Sequence, residues 1–369
     1  IAGTNGALAL LVLLFLVDSW KRKKWEGPVN DFYLFAAVYG WKGVTLVANG
    51  AILKIYRVRE IWDKLPYWIV ARCKIEKNSL EKTFHVLFVT NSIVIVYAFL
   101  QKYAGSPFFY QSLFMHVEHK RMVGYFGSPM HYGGYISLVF ILCLALAVFY
   151  NRKFYLYLPF LLGGLILSGT RSYYIGVILA VLMLAYRKSV RTLCYTAIII
   201  PALLIVAFLV LPGFADRSMS IFSNKSYAIR AAYWPISWQM FSENPIFGVG
   251  FEEFTNSVKT MGEAGLIKNP SHAHNLYLNE LAEGGAIGFL LITFAMGYFV
   301  WKYYKNIGNG DDKLLSGMNI ALSASFFNLM VAGLFEYNFG AAVIWLFITF
   351  IMGLAESYRN NLLKLPGNA

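Results

Sequence analysis

The sequence predicts an all-α, polytopic integral membrane protein, and three observations carry that prediction. Of the 369 residues, 58% are hydrophobic and only 14% are charged, whereas a soluble chain carries roughly 25% charged residues. Apolar runs long enough to span a bilayer recur along the chain, separated by short basic loops. One long polar stretch, residues 212–275, interrupts this rhythm in the second half. The net charge of +13 comes with no motif that reads RNA or DNA. The cations sit between apolar segments, a pattern that suits the positive-inside rule and anionic lipid or diphosphate partners, not nucleic acid.

A spanning helix needs about 20 mostly apolar residues. Segments that approach this are 1–17, 32–49, 84–100, 132–150, 154–168, 173–186, 193–211, 276–300, 314–334 and 339–354. Roughly 10–12 transmembrane helices are therefore expected, in one membrane domain over residues 1–369. The chain opens on Ile1, not Met, so a preceding segment is expected. The short basic loops Asn151-Arg152-Lys153 and Arg187-Lys188-Ser189-Val190-Arg191 are assigned to the cytoplasm. Residues 101–130, the turn at 168–172 and the loop 212–275 then face the opposite, external side. Within that loop, apolar residues at Ile229, Ala232, Tyr233, Ile236 and Met240 recur near helical spacing, and Asn244-Pro245 ends the run. An amphipathic helix lying along the membrane face is expected there.

The first third resists this parsing. Lys21–Lys24 and the basic run from Lys54 to Lys82 both look cytoplasmic, yet one apolar segment lies between them. That segment contains Lys42, and a lysine at mid-bilayer depth costs about 2.5–3.5 kcal/mol on insertion scales. Either 32–49 is re-entrant, or a second, weaker crossing hides near 65–73. The cysteines, Cys73, Cys143 and Cys194, lie far apart and suggest neither a disulfide framework nor a CxxC site.

Chemistry gathers where the long loop meets the membrane. Ser271-His272-Ala273-His274-Asn275 leads into a segment with Glu280, Glu283, Gly284, Gly285 and Gly288. Histidine exchanges a proton near neutral pH, so His274 or His272 could serve as a base; either could equally anchor a helix end. Arg171, in Ser168-Gly169-Thr170-Arg171-Ser172, fits a snorkelling arginine or an anion clamp. Arg230 fits a headgroup contact or a second clamp on the same anion, and Arg217 could do either. Glu336 and Tyr337, in Gly333-Leu334-Phe335-Glu336-Tyr337-Asn338-Phe339-Gly340, fall at another external turn. A carboxylate there could orient a histidine, bind a sugar hydroxyl or cap a helix. With no third ligand near the two histidines, no metal site is expected. Walker A, HExxH, nucleophile-elbow and dinucleotide-binding patterns are absent.

His274-Asn275, then nine residues, then Gly285-Ala286-Ile287-Gly288 resembles the His-Asn…Gly-x-x-Gly signature of bacterial O-antigen ligases. The order of Ser168-Gly169-Thr170-Arg171, an arginine-led loop helix, Glu243-Asn244-Pro245-Ile246-Phe247-Gly248-Val249-Gly250, the histidine pair and the Gly333–Gly340 turn is similar to the wider superfamily. That superfamily includes O-antigen polymerases and some glycoprotein oligosaccharyltransferases, and the resemblance runs over roughly residues 121–354. It implies a GT-C-like glycosyltransferase that needs no metal or other cofactor and acts on the periplasmic side of the bacterial inner membrane. The donor would be O-antigen on undecaprenyl diphosphate, and the acceptor a sugar hydroxyl of lipid A–core. By this resemblance His274 is the general base, Arg171 and Arg230 grip the diphosphate, and direct attack inverts the anomeric centre. His272, Asn275, Arg217, Glu336 and Tyr337 are secondary site candidates. The polymerase pattern expects a glycine soon after the loop arginine; from Arg230 the next is Gly248, which leans the reading toward a ligase. The alternatives are a polymerase, a protein-directed oligosaccharyltransferase or a lipid-linked oligosaccharide transporter. A transporter would carry ionisable residues at mid-membrane depth in several helices; apart from Lys42, few are legible here.

Overall fold

The computed structural model describes residues 29–104, 115–116, 121–124, 128–210, 224–261, 271–307 and 312–363, with short pieces elsewhere, 12–17 among them. Arg217, the basic cluster at 22–24 and most of segment 1–17 lie outside the described residues. The described residues are overwhelmingly helical; the one sheet is a two-residue hairpin pairing Met115–His116 (β1) with Arg121–Met122 (β2).

Twelve α-helices follow in chain order among the described residues. They are α1 (Phe32–Ala48), α2 (Leu65–Ala71), α3 (Lys77–Ala104), α4 (Pro129–Phe149), α5 (Leu158–Ser168) and α6 (Arg171–Lys188). Then come α7 (Val190–Val210), α8 (Asn224–Glu243), α9 (Phe254–Thr260), α10 (Leu276–Lys305), α11 (Lys313–Ala332) and α12 (Ala342–Leu362). Six of these (α3, α4, α7, α10, α11 and α12) are long and apolar enough to cross a membrane. The all-α, multi-pass reading of the sequence therefore stands.

The bundle centres on α11, which packs against α4, α6, α10 and α12. Small residues let these helices approach closely. Gly176 of α6 abuts the Asn328 side chain and carbonyl of α11, and Asn328 Nδ2 donates to Ser137 Oγ of α4 at 2.9 Å. In lipid, where no hydrophobic difference drives helices together, close packing and interhelical hydrogen bonds of this kind hold the bundle. By contrast α7 packs against its sequence neighbour α6 and leaves Tyr195, Ile198, Leu203, Ile205 and Leu209 exposed, as a lipid-facing span should.

The first third resolves into two crossings. At the start of α1, Asp31 accepts hydrogen bonds from Tyr298 (2.6 Å) and Lys302, near the end of α10. At the other end of α1, Asn49 donates to the Gly248 carbonyl at 3.2 Å, beside the start of α10. Helix α1 thus traverses the bundle and is not re-entrant. The chain returns through a 3₁₀ helix, Ile52–Lys64, continued by α2. Beyond α2, Ser357 donates to the Cys73 carbonyl (2.6 Å) and Asn361 to that of Ile75 (2.9 Å), both near the end of α12.

The basic run expected in the cytoplasm is therefore divided, and its first part needs correction. Lys54 and Arg57 lie at the same end of the bundle as the polar loop, where each meets Glu253 Oε1, at 2.7 and 2.6 Å. Hydropathy misses this returning segment because its pattern is inverted. Ile52, Leu53, Ile55, Tyr56 and Trp62 are exposed, while Lys64 is completely buried.

Lys42 and Lys64 belong to a buried charged layer larger than the sequence suggested. Lys42 Nζ lies 3.3 Å from Glu280 Oε1 and 4.1 Å from the centroid of the Phe251 ring. Lys64 Nζ stands 4.9 Å from the ring centroids of both Tyr39 and Trp345. Paired carboxylates and ring faces replace part of the hydration that each ammonium loses.

Candidate functional site

The polar loop does not float above the bundle. Tyr233, Ile236 and Met240, three to four residues apart on α8, pack with Phe254 and Val258 of α9 and with Ala273 and Ala282 at the start of α10. The expected loop helix is thus present, and its apolar face is turned to a small core of its own against α9 and α10. That core fixes Arg230, near the start of α8, relative to the histidine pair.

The glycine signature explains how loop and membrane helix come together. Gly285 sits at a kink inside α10, with φ +64° and ψ −168°. The turn 245–250 lies across this kink, and three backbone bonds join them: Val249 N–H to Ala282 O (2.8 Å), Gly250 N–H to Glu283 O (3.1 Å) and Ala286 N–H to Pro245 O (2.8 Å). A Cβ at Gly285 would collide with the Ile246 carbonyl, and one at Gly248 with the backbone of Glu283. Gly285 and Gly248 both also have positive φ. Only glycine meets both demands. The indole of Trp41 in α1 adds a fourth tie, donating to the Gly284 carbonyl at 2.8 Å.

Immediately before α10, Asn275 acts as N-cap, its Oδ1 accepting from the amides of Tyr277 (2.9 Å) and Leu278 (3.0 Å). Its Nδ2 donates to the Leu334 carbonyl at 3.0 Å. Both ends of this side chain take part in holding α10 against the 333–340 turn. His274 precedes it with φ +50°, a conformation uncommon outside glycine and typical of functional positions.

Together these elements enclose a cavity of about 720 Å³. Arg171, Arg230, His272, His274, Glu336 and Tyr337 all line it. Arg171 and His274, separated by more than a hundred residues, therefore open into one space. Glu336 stands between the loop arginine and the histidine: Oε1 is 3.7 Å from Arg230 Nη2, and Oε2 is 3.8 Å from His274 Nδ1. Arg230 also donates to the Phe335 carbonyl at 3.2 Å. His274 lies against Tyr233, ring centroids 5.6 Å apart, and against His272 at 4.4 Å.

The two histidines differ electrostatically. His272 Nδ1 accepts the His274 backbone N–H at 3.2 Å. Burial, with His274 and His131 nearby, pushes the His272 imidazole down to about 4. At neutral pH it is an uncharged ring with one nitrogen already occupied.

Several lining residues had escaped sequence reasoning, chiefly Arg121, His131, Ser172, Tyr173, Trp234 and Asn338. Arg121, on β2, donates through Nε to the Ser168 carbonyl at 2.7 Å and so lies over the turn that leads to Arg171. Its signal was present: a basic residue on the external side just ahead of Pro129, where a spanning helix starts. Nothing in its local pattern set it apart from Lys120 beside it. Among the described residues, the cavity wall thus holds three arginines and one carboxylate, Glu336. Among the described residues, no three of His, Cys, Asp or Glu gather closely enough to hold a metal ion.

Residues 159–293 match the family model described as O-antigen ligase. The matched segment contains Arg171, Arg230, both cavity histidines and the Gly285–Gly288 signature; Arg121 and Glu336 lie outside it. No curated protein matches the chain. Members of this family are glycosyltransferase-like enzymes of O-antigen processing and work on lipid-linked polysaccharide at the membrane. The spanning helices fit a multi-pass membrane protein, and residues 159–293, which contribute Arg171, Arg230 and both histidines to one cavity and carry the glycines that seat the loop on α10, are similar to the O-antigen ligase family.

Proposed function

We propose that the cavity is the active site of an O-antigen ligase, which moves a glycan from undecaprenyl diphosphate to a sugar hydroxyl of lipid A–core. The observation that carries this reading is the shared cavity, lined by Arg121, Arg171 and Arg230 together with the His274–Glu336 pair, at the mouth of a membrane bundle. Glycosyl transfer from a lipid diphosphate needs cationic donors aimed at the charge that develops on the leaving group. It also needs a base for the incoming alcohol. Arg171 and Arg230 serve the first need, with Arg121 lining the same cavity. His274 serves the second. It takes the acceptor proton while Glu336, beside Nδ1, orients the ring. His272 is the weaker candidate for base, because a histidine held at about 4 rarely accepts a proton at neutral pH. Attack by the acceptor oxygen from the face opposite the diphosphate inverts the anomeric centre. The reaction takes place on the periplasmic side of the inner membrane, and the cation pair does the work that a metal ion does elsewhere.

The test is transfer by the purified protein from lipid-linked O-antigen to lipid A–core, with EDTA present. Wild type and His272→Ala should give product. His274→Ala should lose about 10²–10⁴-fold in turnover, the usual worth of a general base, and Arg230→Ala should lose activity to a similar degree. Lengthening of the donor chain with lipid A–core untouched would make the protein a polymerase built on the same residues. Movement of donor lipid between leaflets without any transfer would sink the enzymatic reading.

A further inference from the structure

Helix α8 brings a second large side chain to the cavity besides Arg230. Trp234 follows Arg230 by four residues, so the two share a face of the helix, one turn apart. Both line the cavity. Trp234 is half-buried: it rests against the small core that α8 shares with α9, which holds the ring in place. Its indole N–H is sealed away from the cavity and has no hydrogen-bond partner among the described residues. A buried tryptophan ordinarily finds a partner for this group, and one left without it costs free energy. Phenylalanine or leucine would fill the space without that cost. What the indole adds is area, a broad and rigid carbon face beside cations and imidazoles.

The place of this face matters for the transfer proposed above. There the anomeric carbon lies between the departing diphosphate and the acceptor oxygen, so its sugar sits between Arg230 and His274. That interval is short, because Arg230 Nη2 and His274 Nδ1 approach the two oxygens of one carboxylate, Glu336, at 3.7 and 3.8 Å. Trp234 borders it, one turn beyond Arg230 and next in sequence to Tyr233, whose ring meets that of His274 at 5.6 Å. We propose that Trp234 is a carbohydrate-binding residue, its ring stacking on the C–H face of the pyranose bonded to the diphosphate. The proposal rests on the reading that the cavity accepts a glycosylated lipid diphosphate, and it assigns the sugar a subsite of its own. A pyranose carries most of its hydroxyls at the rim and its axial C–H bonds on its faces, and those hydrogens suit the negative face of an aromatic ring. Stacking of this kind sets the plane of the sugar and does nothing for a bare diphosphate.

The experiment is calorimetric binding to the detergent-purified full chain with two probes, farnesyl diphosphate and the same diphosphate carrying one N-acetylglucosamine. Trp234→Leu should weaken the glycosylated probe about fivefold, the scale of one aromatic stacking contact, and leave the bare probe unchanged. Trp234→Phe, with a smaller ring, should lose about twofold, again for the glycosylated probe alone. Trp238→Ala is the control: that exposed indole lies one turn further along α8 and is not among the lining residues, so neither affinity should move. Unchanged affinities in Trp234→Leu overturn the inference and leave the lipid-diphosphate reading intact. Equal losses for both probes also overturn it, by moving the effect to the diphosphate or the tail. Wild type that binds neither probe overturns the lipid-diphosphate reading itself. Should Trp234→Leu fold poorly, Trp234→Tyr and Trp234→Phe decide: a loss confined to the glycosylated probe supports the subsite, and wild-type affinity in both refutes it.

Discussion

Two charged regions lie close together in this molecule and are built on opposite principles. One is the buried layer of Lys42, Lys64, Glu280 and Glu283 beneath the loop. The other is the cavity wall of Arg121, Arg171 and Arg230. In the first, cations are lysines set against carboxylates and aromatic ring faces. Lys42 meets Glu280, Glu283 Oε2 accepts from Asn279 Nδ2 at 3.1 Å, and Oε1 accepts the Phe254 amide at 3.1 Å. In the second, cations are arginines, the carboxylate among the described lining residues is Glu336, and the space between is open. Charges that a fold needs for its own architecture are matched internally, because an unmatched buried charge is too costly to keep. The arginines instead line an open space, where the proposed function needs cations for a ligand. Tyr337 joins the two regions, lining the cavity while its hydroxyl lies 3.5 Å from Glu280 Oε1.

The largest effect should come from breaking the matched region. Glu280→Ala strands the Lys42 ammonium in a buried site and should cost about 3–5 kcal/mol of stability. Removing both charges, as Lys42→Met with Glu280→Met, should recover most of that loss in thermal unfolding of the detergent-solubilised protein. A double variant as unstable as the single one would show that the pair is not self-contained, and the contrast with the cavity would collapse.

Next in size is a change confined to the cavity. Arg230→Lys keeps the charge but removes the planar fork that grips a phosphoryl group, and should lower turnover by about a hundredfold. Its melting temperature should remain within a degree or so of wild type, because the proposed function has Arg230 serve the ligand more than the fold. A large drop in melting temperature would instead move Arg230 into the architectural class.

The smallest effect concerns His272. Its value of about 4 in the folded chain lies below the unfolded value near 6.5. As pH falls below 6.5, the unfolded chain takes up a proton that the folded chain refuses. The stability this residue supports is thus complete above that value and is lost on the way down toward 4. Between pH 7 and 5 the loss should be about 1–2 kcal/mol, and His272→Gln should show a shallower decline in melting temperature over that range. Equal slopes in both proteins would mean that the ring is more solvated than its burial indicates.

Much of the cavity was legible in advance, and for a definite reason. Arg171, His274 and Glu336 are polar residues at the ends of apolar runs, where a membrane sequence has few polar residues to choose among, and Arg230 is the arginine within the helical pattern of the polar loop. Arg121 was missed because it follows another cation in a polar segment, and Ser172 because a serine after an arginine carries no local signal. The left-handed turn at Gly169 brings the segment that carries Ser172 beneath Arg121, a proximity no sequence window shows. Asn275 was grouped with the site, yet its side chain is spent on capping α10 and tying it to Leu334.

The sequence by itself determined that this protein is a bundle of membrane helices, because apolar length is a one-dimensional property that a bilayer reads directly. It also carried the glycine signature, whose meaning is local: a backbone that must pass another backbone closely and with positive φ. Only the tertiary structure decided the path of residues 52–71 and the environment of Lys42. An inside-out segment is stable in lipid only if its charged face meets partners from far along the chain, here Glu253 and the layer around Glu280. Such pairing depends on three-dimensional neighbours that no window of sequence contains.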